Sequence, residues 1–427
     1  MESALRGALQ SSGRSWKRFD TLSHDTGGRW STVGPLIIYR DNIERNGGER
    51  VIDQQGPLRI LALADHWQGA NCYAFVRAFR RAGHSVSSCS ETDTIPRSWQ
   101  LTPLKILRRL ITPVLVSEYN REVIAAADRL QPHLLFVFKG PYLTAETLHS
   151  VKAKGAIAIN FFPDTSITAD TPYIPRALPL YDWVFTSKSF GLGDMERLVG
   201  VRNASFLPHA FDPEVHAPVN LEQSDIDRYA SDVSFIGSWS PKKEHALLHL
   251  SEAMPGIRLR VWGSRWEKAS SRMRTVAEHQ IVLGSEYAKC IRASRISLGL
   301  LVEGRPGASS GDLITARTFE IPASGGFMLH EGNDEVSRYF LEGKECAMFS
   351  DANELVDKVR YYLANDNERR TVAEAGRLRC LESGYSVDAR MEQVLAKYRE
   401  LAASRVHIPN SRTDCPVPTR TRSCGQA

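Results

Sequence analysis

From Leu58 onward, short apolar runs alternate with polar segments whose apolar residues recur at helical spacing. LRILALAD opens the series without the in–out alternation of a half-exposed strand, as a parallel strand buried on both faces requires. In CYAFVRAFRRAG, Cys72, Phe75, Val76 and Phe79 repeat at helical spacing, and Gly83 follows as a stop. HSVSSCS resumes as a strand, which makes the opening a βαβ unit. HLLFVFKG, AIAINFFPD, WVFTSKS and ASFLPHA continue the series, some separated by helical segments such as EYNREVIAAADRLQ and TAETLHSVKAKG. After the polar, Pro-containing FDPEVHAPVNLEQSDIDRY a second series begins. Its expected strands are DVSFIGS, IRLRVWG, HQIVLG, RISLGLL, GFMLH and ECAMF, and the helices ANELVDKVRYYLAND and DARMEQVLAKYREL follow. Two successive alternating units predict an α/β protein with two Rossmann-like, doubly wound domains facing across a cleft. Ligands of such sheets sit outside the carboxyl ends of the strands, so the cleft is the expected site.

The expected organisation is an irregular extension over 1–56, a first domain over 57–213 and a connection over 214–230. A second domain follows over 231–403, then a disordered tail over 404–427. The tail is rich in Pro, Ser, Thr and Arg and cannot bury a core. It changes how the charge is read. The 427-residue chain carries a formal +5, but four arginines and one aspartate place +3 of it in the tail. The folded part gives no reason to expect nucleic acid as a partner. Seven scattered cysteines without a Cys-x-x-Cys pair argue for reduced thiols in the cytoplasm and against zinc. No run is long enough to span a membrane, and the N-terminus lacks the apolar core of a secretory signal.

The segment GDLITARTFEIPASGGFML places Asp312 at the end of a flexible loop and Glu320 in a short helix that Pro322 truncates or kinks. A carboxylate can accept hydrogen bonds from two adjacent hydroxyls, as in a sugar or ribose diol; solvated surface charge is the plainer account of the spacing alone. DVSFIGSWSPKKEH ends a strand at Gly237 and turns into a helix bearing Ser238, Lys242 and Lys243. Backbone amides, a helix N-terminus and a lysine together make an anion site. No dinucleotide fingerprint is present. Asp164, at the end of NFFPDTS, faces the cleft as an acceptor contact or a loop cap, and His209 is expected to make a structural hydrogen bond. Asp225 and Asp227 have the spacing of a metal-binding pair, but they fall in the connection and read as acids at a helix start.

GDLITARTFEIPASGGFMLHEGNDEVSRYF, ECAMFSDANELVDKVRYYLANDNERR and GYSVDARMEQVL resemble the group 1 glycosyltransferases, and more narrowly the spore-maturation CgeB-like branch. The first half agrees more loosely, through LRILALAD, INFFPDTS, YDWVFTSKS and FLPHAFDPEVHAP. The resemblance covers roughly residues 58–400 and implies the GT-B architecture, with a nucleoside-diphosphate sugar held by the second domain and an acceptor by the first. It implies a metal-independent hexosyltransferase without a cofactor, acting with retention, in which the leaving phosphate takes the acceptor's proton. In the family's Glu-x7-Glu pair, Asp312 stands first and would face the transferring sugar, while Glu320 would bind the donor ribose. In the family's diphosphate clamp Lys243 matches the lysine, but Ser238 stands where arginine is usual, and Arg317 could compensate. The Gly237 turn would add amides. Two rivals remain open: a sugar-nucleotide epimerase of the same fold, and a non-catalytic nucleotide-sugar binding protein.

The acceptor could be a glycan, a lipid-linked group or a protein. Around WQLTPLKILRRLITPVL, Leu104, Leu107 and Ile111 line one helix face and Lys105, Arg108 and Arg109 another, with Pro103 in the first turn and Pro113 at the end. Such a helix can lie on an anionic membrane through 104–111. A core helix with solvated basic residues is the preferred account.

Overall fold

The computed structural model describes residues 56–67, 69–95 and 102–406, the side chains of 102–110 and 406 aside, together with the backbone of two short strands nearer the N-terminus. Those strands, β1 (Thr21–His24) and β2 (Trp30–Val33), form an antiparallel hairpin where irregular chain was expected. The expected tail lies outside the described residues from 407 on.

The described residues between 56 and 406 carry two parallel sheets. The first contains β3 (Arg59–Leu63), β4 (Ser85–Cys89), β5 (Leu134–Phe138), β6 (Ile157–Phe162), β7 (Trp183–Thr186) and β8 (Ala204–Phe206), ordered β4-β3-β5-β6-β7-β8. The second contains β9 (Ser231–Ile236), β10 (Leu259–Trp262), β11 (Ser294–Gly299), β12 (Met328–Glu331) and β13 (Ala347–Phe349), ordered β10-β9-β11-β12-β13. Successive strand residues feed opposite cores: Leu61, Leu135 and Val184 on one face of the first sheet, Ile60, Phe136 and Phe185 on the other. Burial on both faces is why these runs show no alternation. In both sheets the order reverses beside the first strand, so the switch points lie at β3/β5 and β9/β11. The loops leaving these four strands build the cleft.

Four further expectations need correction. HQIVLG forms no strand; Val261 and Ala277 share a lone bridge, and the chain from 278 to 284 runs irregularly along the cleft. Its apolar residues mimic a strand, but Ile281 is 60% and Leu283 40% exposed at that wall. Pro113 does not end its helix. One helix runs Thr102–Leu130 through it. The lost hydrogen bond is offset by burial of Val116, Tyr119, Val123 and Ala127 against the first sheet. The face with Leu104, Leu107, Lys105, Arg108 and Arg109 lies outside the described side chains. Among the described residues no helix is long and apolar enough to cross a membrane.

The last helix, Val387–Val406, belongs by position to the second domain but packs on the first sheet. Val387, Met391, Val394, Leu395, Tyr398 and Ala402 form a stripe at helical spacing that covers β5 and β6 beside helix Asn71–Arg81. The chain thus passes between the halves twice, and the two passages are tied: Phe211 donates to Tyr385 O at 3.1 Å and Val387 donates to Phe211 O at 2.8 Å. Fourth, the loop expected to be flexible between β11 and helix Arg317–Ala323 is fastened to the first half, as detailed below.

Candidate functional site

Both switch points open into one cleft of about 790 Å³. The first half contributes Asp164, Lys188 and His209; the second contributes Ser238, Lys243, Asp312, Arg317 and Glu320. The sequence-predicted residues therefore meet in one place, but their partners change what each can do.

Lys243 stands in the first turn of helix Pro241–Ala253, whose N-terminus points at the cleft. Its ammonium donates to Ser238 O at 3.2 Å and lies over the Phe235 ring, 5.8 Å from its centre. The Arg317 guanidinium lies over the same ring at 5.3 Å and donates Nη2 to Leu300 O at 2.8 Å. Arg317 Nε is buried with no hydrogen-bond partner. Neither cation has a salt-bridge partner among the described residues. Burial, and next the Arg317 charge, push the Lys243 pKa down to about 7. The buried ammonium and the half-buried guanidinium repel one another, Asp312, Glu303 and Glu331 offset this for Lys243 only in part, and an anion between the two cations would relieve the rest.

A proton balance follows. A nucleotide sugar, whose diphosphate has no group titrating near neutrality, would pull the Lys243 pKa back up. Binding at pH 8 should then take up about one proton through Lys243; at pH 6 Lys243 takes up almost none, while Glu320, whose carboxyl also sits near 7 and must ionise to accept from the ribose, releases up to about one. Calorimetry in buffers of different ionisation enthalpy reads this directly; uptake that is equal at both values would contradict it.

Of the amides at the Gly237 turn that were expected to serve an anion, Gly237's own is already taken. Its N–H donates to Trp262 O at 2.8 Å, extending the β9–β10 ladder, and its carbonyl accepts from Trp266 Nε1 at 3.0 Å. What Gly237 supplies is room. A Cβ there would lie 2.9 Å from Arg317 Nη1 and 2.8 Å from the Phe235 ring. Ser238, in the position of the family's arginine, is exposed and shares a hydrogen bond with Ser264 at 2.8 Å.

Glu320 is buried, and its carboxyl is pushed up to about 7 by desolvation, against the pull of Arg317 and the Tyr287 hydroxyl. His216 Nε2 stands 3.8 Å from its Oε1. Because His216 Nδ1 accepts from the Asp212 N–H at 2.9 Å, Nε2 carries the proton. Burial holds His216 neutral, with a pKa pushed down to about 3. No full positive charge neutralises Glu320 from that side. Tyr287 OH makes no hydrogen bond of good geometry in the resting cleft.

Asp312 is paired. Lys188 Nζ, on the loop leaving β7, donates to its Oδ1 at 2.6 Å and to Ile314 O at 3.3 Å. Among the described residues Oδ2 has no hydrogen-bond partner. Asp164 also has a cation, the Lys139 ammonium at 2.6 Å, which Asp170 shares at the same distance. His209 lines the wall against Phe161 and is kept neutral near 3, by burial and then by Lys188. Asp225 serves the start of helix Gln223–Tyr229, and Asp227 lies within it. Asp225 closes a capping box with Glu222 and pairs with Lys289 at 3.0 Å, and Asp227 accepts from Gln223.

Residues 242–396 match a family described as glycosyl transferase-like. No curated protein matches the sequence. Solved structures align over most of the chain. A sucrose-phosphate synthase from Thermosynechococcus elongatus superposes with a TM-score of 0.57 at 13% identity, covering 81% of this chain and all of that one. A glycosyltransferase from Rickettsia africae gives 0.55 at 12% identity, covering 81% of this chain and 99% of its own. HepE of Anabaena, in complex with UDP-glucose, gives 0.55 at 12%, covering 81% and 100%. The architecture is GT-B: two parallel sheets with helices, as the alternation of elements had predicted.

Sequence reasoning missed Lys188, Lys139, His216 and Tyr287. For Lys188 the signal was a cation directly after the strand run WVFTS, the kind of position where these folds place ligand contacts.

Proposed function

We propose that the protein transfers a hexosyl group from a nucleoside-diphosphate sugar to an acceptor hydroxyl or amine, with retention and without a metal or cofactor. The observation that carries this reading is the buried Lys243 ammonium beside the half-buried Arg317 guanidinium, both lining the cleft with no salt-bridge partner among the described residues. Glycosyl transfer develops negative charge on the leaving diphosphate, and fixed cations in a site partly shielded from water stabilise it. Glu320, one turn along the helix from Arg317, accepts from the ribose diol, and Oδ2 of Asp312 accepts from the transferring sugar. Asp164, on the first half, contacts the acceptor. HepE, of the same fold, was crystallised with UDP-glucose and with UDP, which supports a nucleotide sugar as donor. The free thiols Cys72, Cys89, Cys290, Cys346 and Cys380 fit a reducing, cytoplasmic setting. The CgeB-like resemblance leaves the acceptor open.

Incubation with a panel of nucleotide sugars, followed by assay of released nucleoside diphosphate, tests the reading. Release should survive EDTA, because Asp225 is engaged by the helix start and Lys289, and Asp227 lies outside the cleft on the same helix, accepting from Gln223. Activity lost in EDTA and restored by manganese would contradict the metal-independent account. Isomerised donor without release would make the protein an epimerase.

A further inference from the structure

The segment from Val302 to Asp312 leaves the second sheet and is fastened to the first half along its length. Ser166 Oγ donates to Pro306 O at 2.6 Å, and Ser309 donates its N–H and its hydroxyl to Asp194 Oδ2 at 2.8 and 3.1 Å. Arg305 stands 3.7 Å from Asp170. Gly307, at φ +82°, passes so close to Thr168 that a Cβ would lie 2.3 Å from its hydroxyl. The segment closes on itself where Asp312 N–H donates to Val302 O at 2.9 Å, and there Lys188 meets the Asp312 carboxylate.

Lys188 is itself held. Its N–H donates to Thr186 Oγ1 at 3.2 Å, its carbonyl accepts from Gly191 at 3.0 Å, and its side chain is 5% exposed. A buried ammonium fixed at both ends defines the position and charge of the one carboxylate oxygen it touches. The other oxygen stays available to a ligand.

We propose that Lys188 is a positioning residue for sugar transfer. It orients Asp312 so that Oδ2 meets a hydroxyl of the transferring sugar. Because Lys188 belongs to the first half and Asp312 to the second, the acid is in register only when the two halves are closed on each other. Sugar recognition is thereby coupled to closure over the acceptor side. The proposal rests on the reading of the cleft as a nucleotide-sugar site.

The test is calorimetry with the diphosphates of uridine, adenosine and guanosine and with their glucose conjugates. The wild type should bind one conjugate more tightly than its diphosphate. Lys188→Met should remove that sugar increment, roughly tenfold in affinity, and leave diphosphate binding within about threefold. Asp312→Asn should remove the same increment. The double variant, which leaves no lone buried charge to unfold the protein, should lose no more than either single one. Lys188→Arg should restore part of it. The proposal is overturned if the increment survives Lys188→Met, if diphosphate affinity falls with it, or if the two losses multiply in the double variant. A wild type without any sugar increment also overturns it, since Oδ2 then reads no sugar. A wild type that binds none of the nucleotides overturns the nucleotide-sugar reading itself, a different result from the others.

Discussion

Lys243→Ala is expected to lower turnover of the preferred nucleotide sugar by roughly 10²–10³-fold, the usual cost of removing one preorganised group from a developing charge. Lys242→Ala, one residue away, should leave turnover within about twofold. Its ammonium is half-exposed and spent on Glu331 outside the cleft. The contrast between adjacent lysines separates a local role from a general loss of positive charge. Arg317→Ala should cost a similar factor, because Arg317 shares the site with Lys243 over the Phe235 ring. Equal activity of Lys243→Ala and wild type would remove the diphosphate from this position.

At Glu320, binding and stability are expected to move in opposite directions. Glu320→Ala should weaken nucleotide binding by roughly ten- to a hundredfold, the worth of a charge-assisted hydrogen bond. Glu320→Gln should raise the melting temperature at pH 8. A carboxyl whose pKa rises from 4.5 unfolded to about 7 folded contributes most to stability below 4.5. That contribution is lost as pH climbs through 7, so the ionised group costs up to about 3 kcal/mol at pH 8. The glutamine never pays that desolvation, and its advantage should vanish near pH 4. Thermal melts at both values check the sign. A lower melting temperature for Glu320→Gln at pH 8 would show a carboxylate already compensated in the free protein, and so not reserved for a ligand.

The two sheets were legible in the sequence because a strand buried on both faces carries its own signature, and helix Asn71–Arg81 because its stripe ends at a glycine. The acids and Lys243 were legible as a constellation at strand ends. Their partners were not. Lys188 and Asp312 are 124 residues apart, and only the closing of two sheets brings them together. The same holds for helix Val387–Val406, whose stripe fits either sheet and whose choice depends on which one still lacks cover. HQIVLG shows the complementary failure, since residues that line a wet cleft can have the apolarity of a strand without its pairing. Gly237 lines the cleft, but that its own amide is spent on Trp262 cannot be read from one strand alone.

A crystal structure with a nucleoside-diphosphate sugar bound tests the central claim most directly. The account predicts phosphate oxygens within hydrogen-bonding reach of Lys243 Nζ and the Arg317 guanidinium, the ribose hydroxyls on Glu320, and the sugar beside Asp312 Oδ2. Phosphates bound elsewhere in the cleft, with Lys243 and Arg317 left facing one another unpaired, would contradict it.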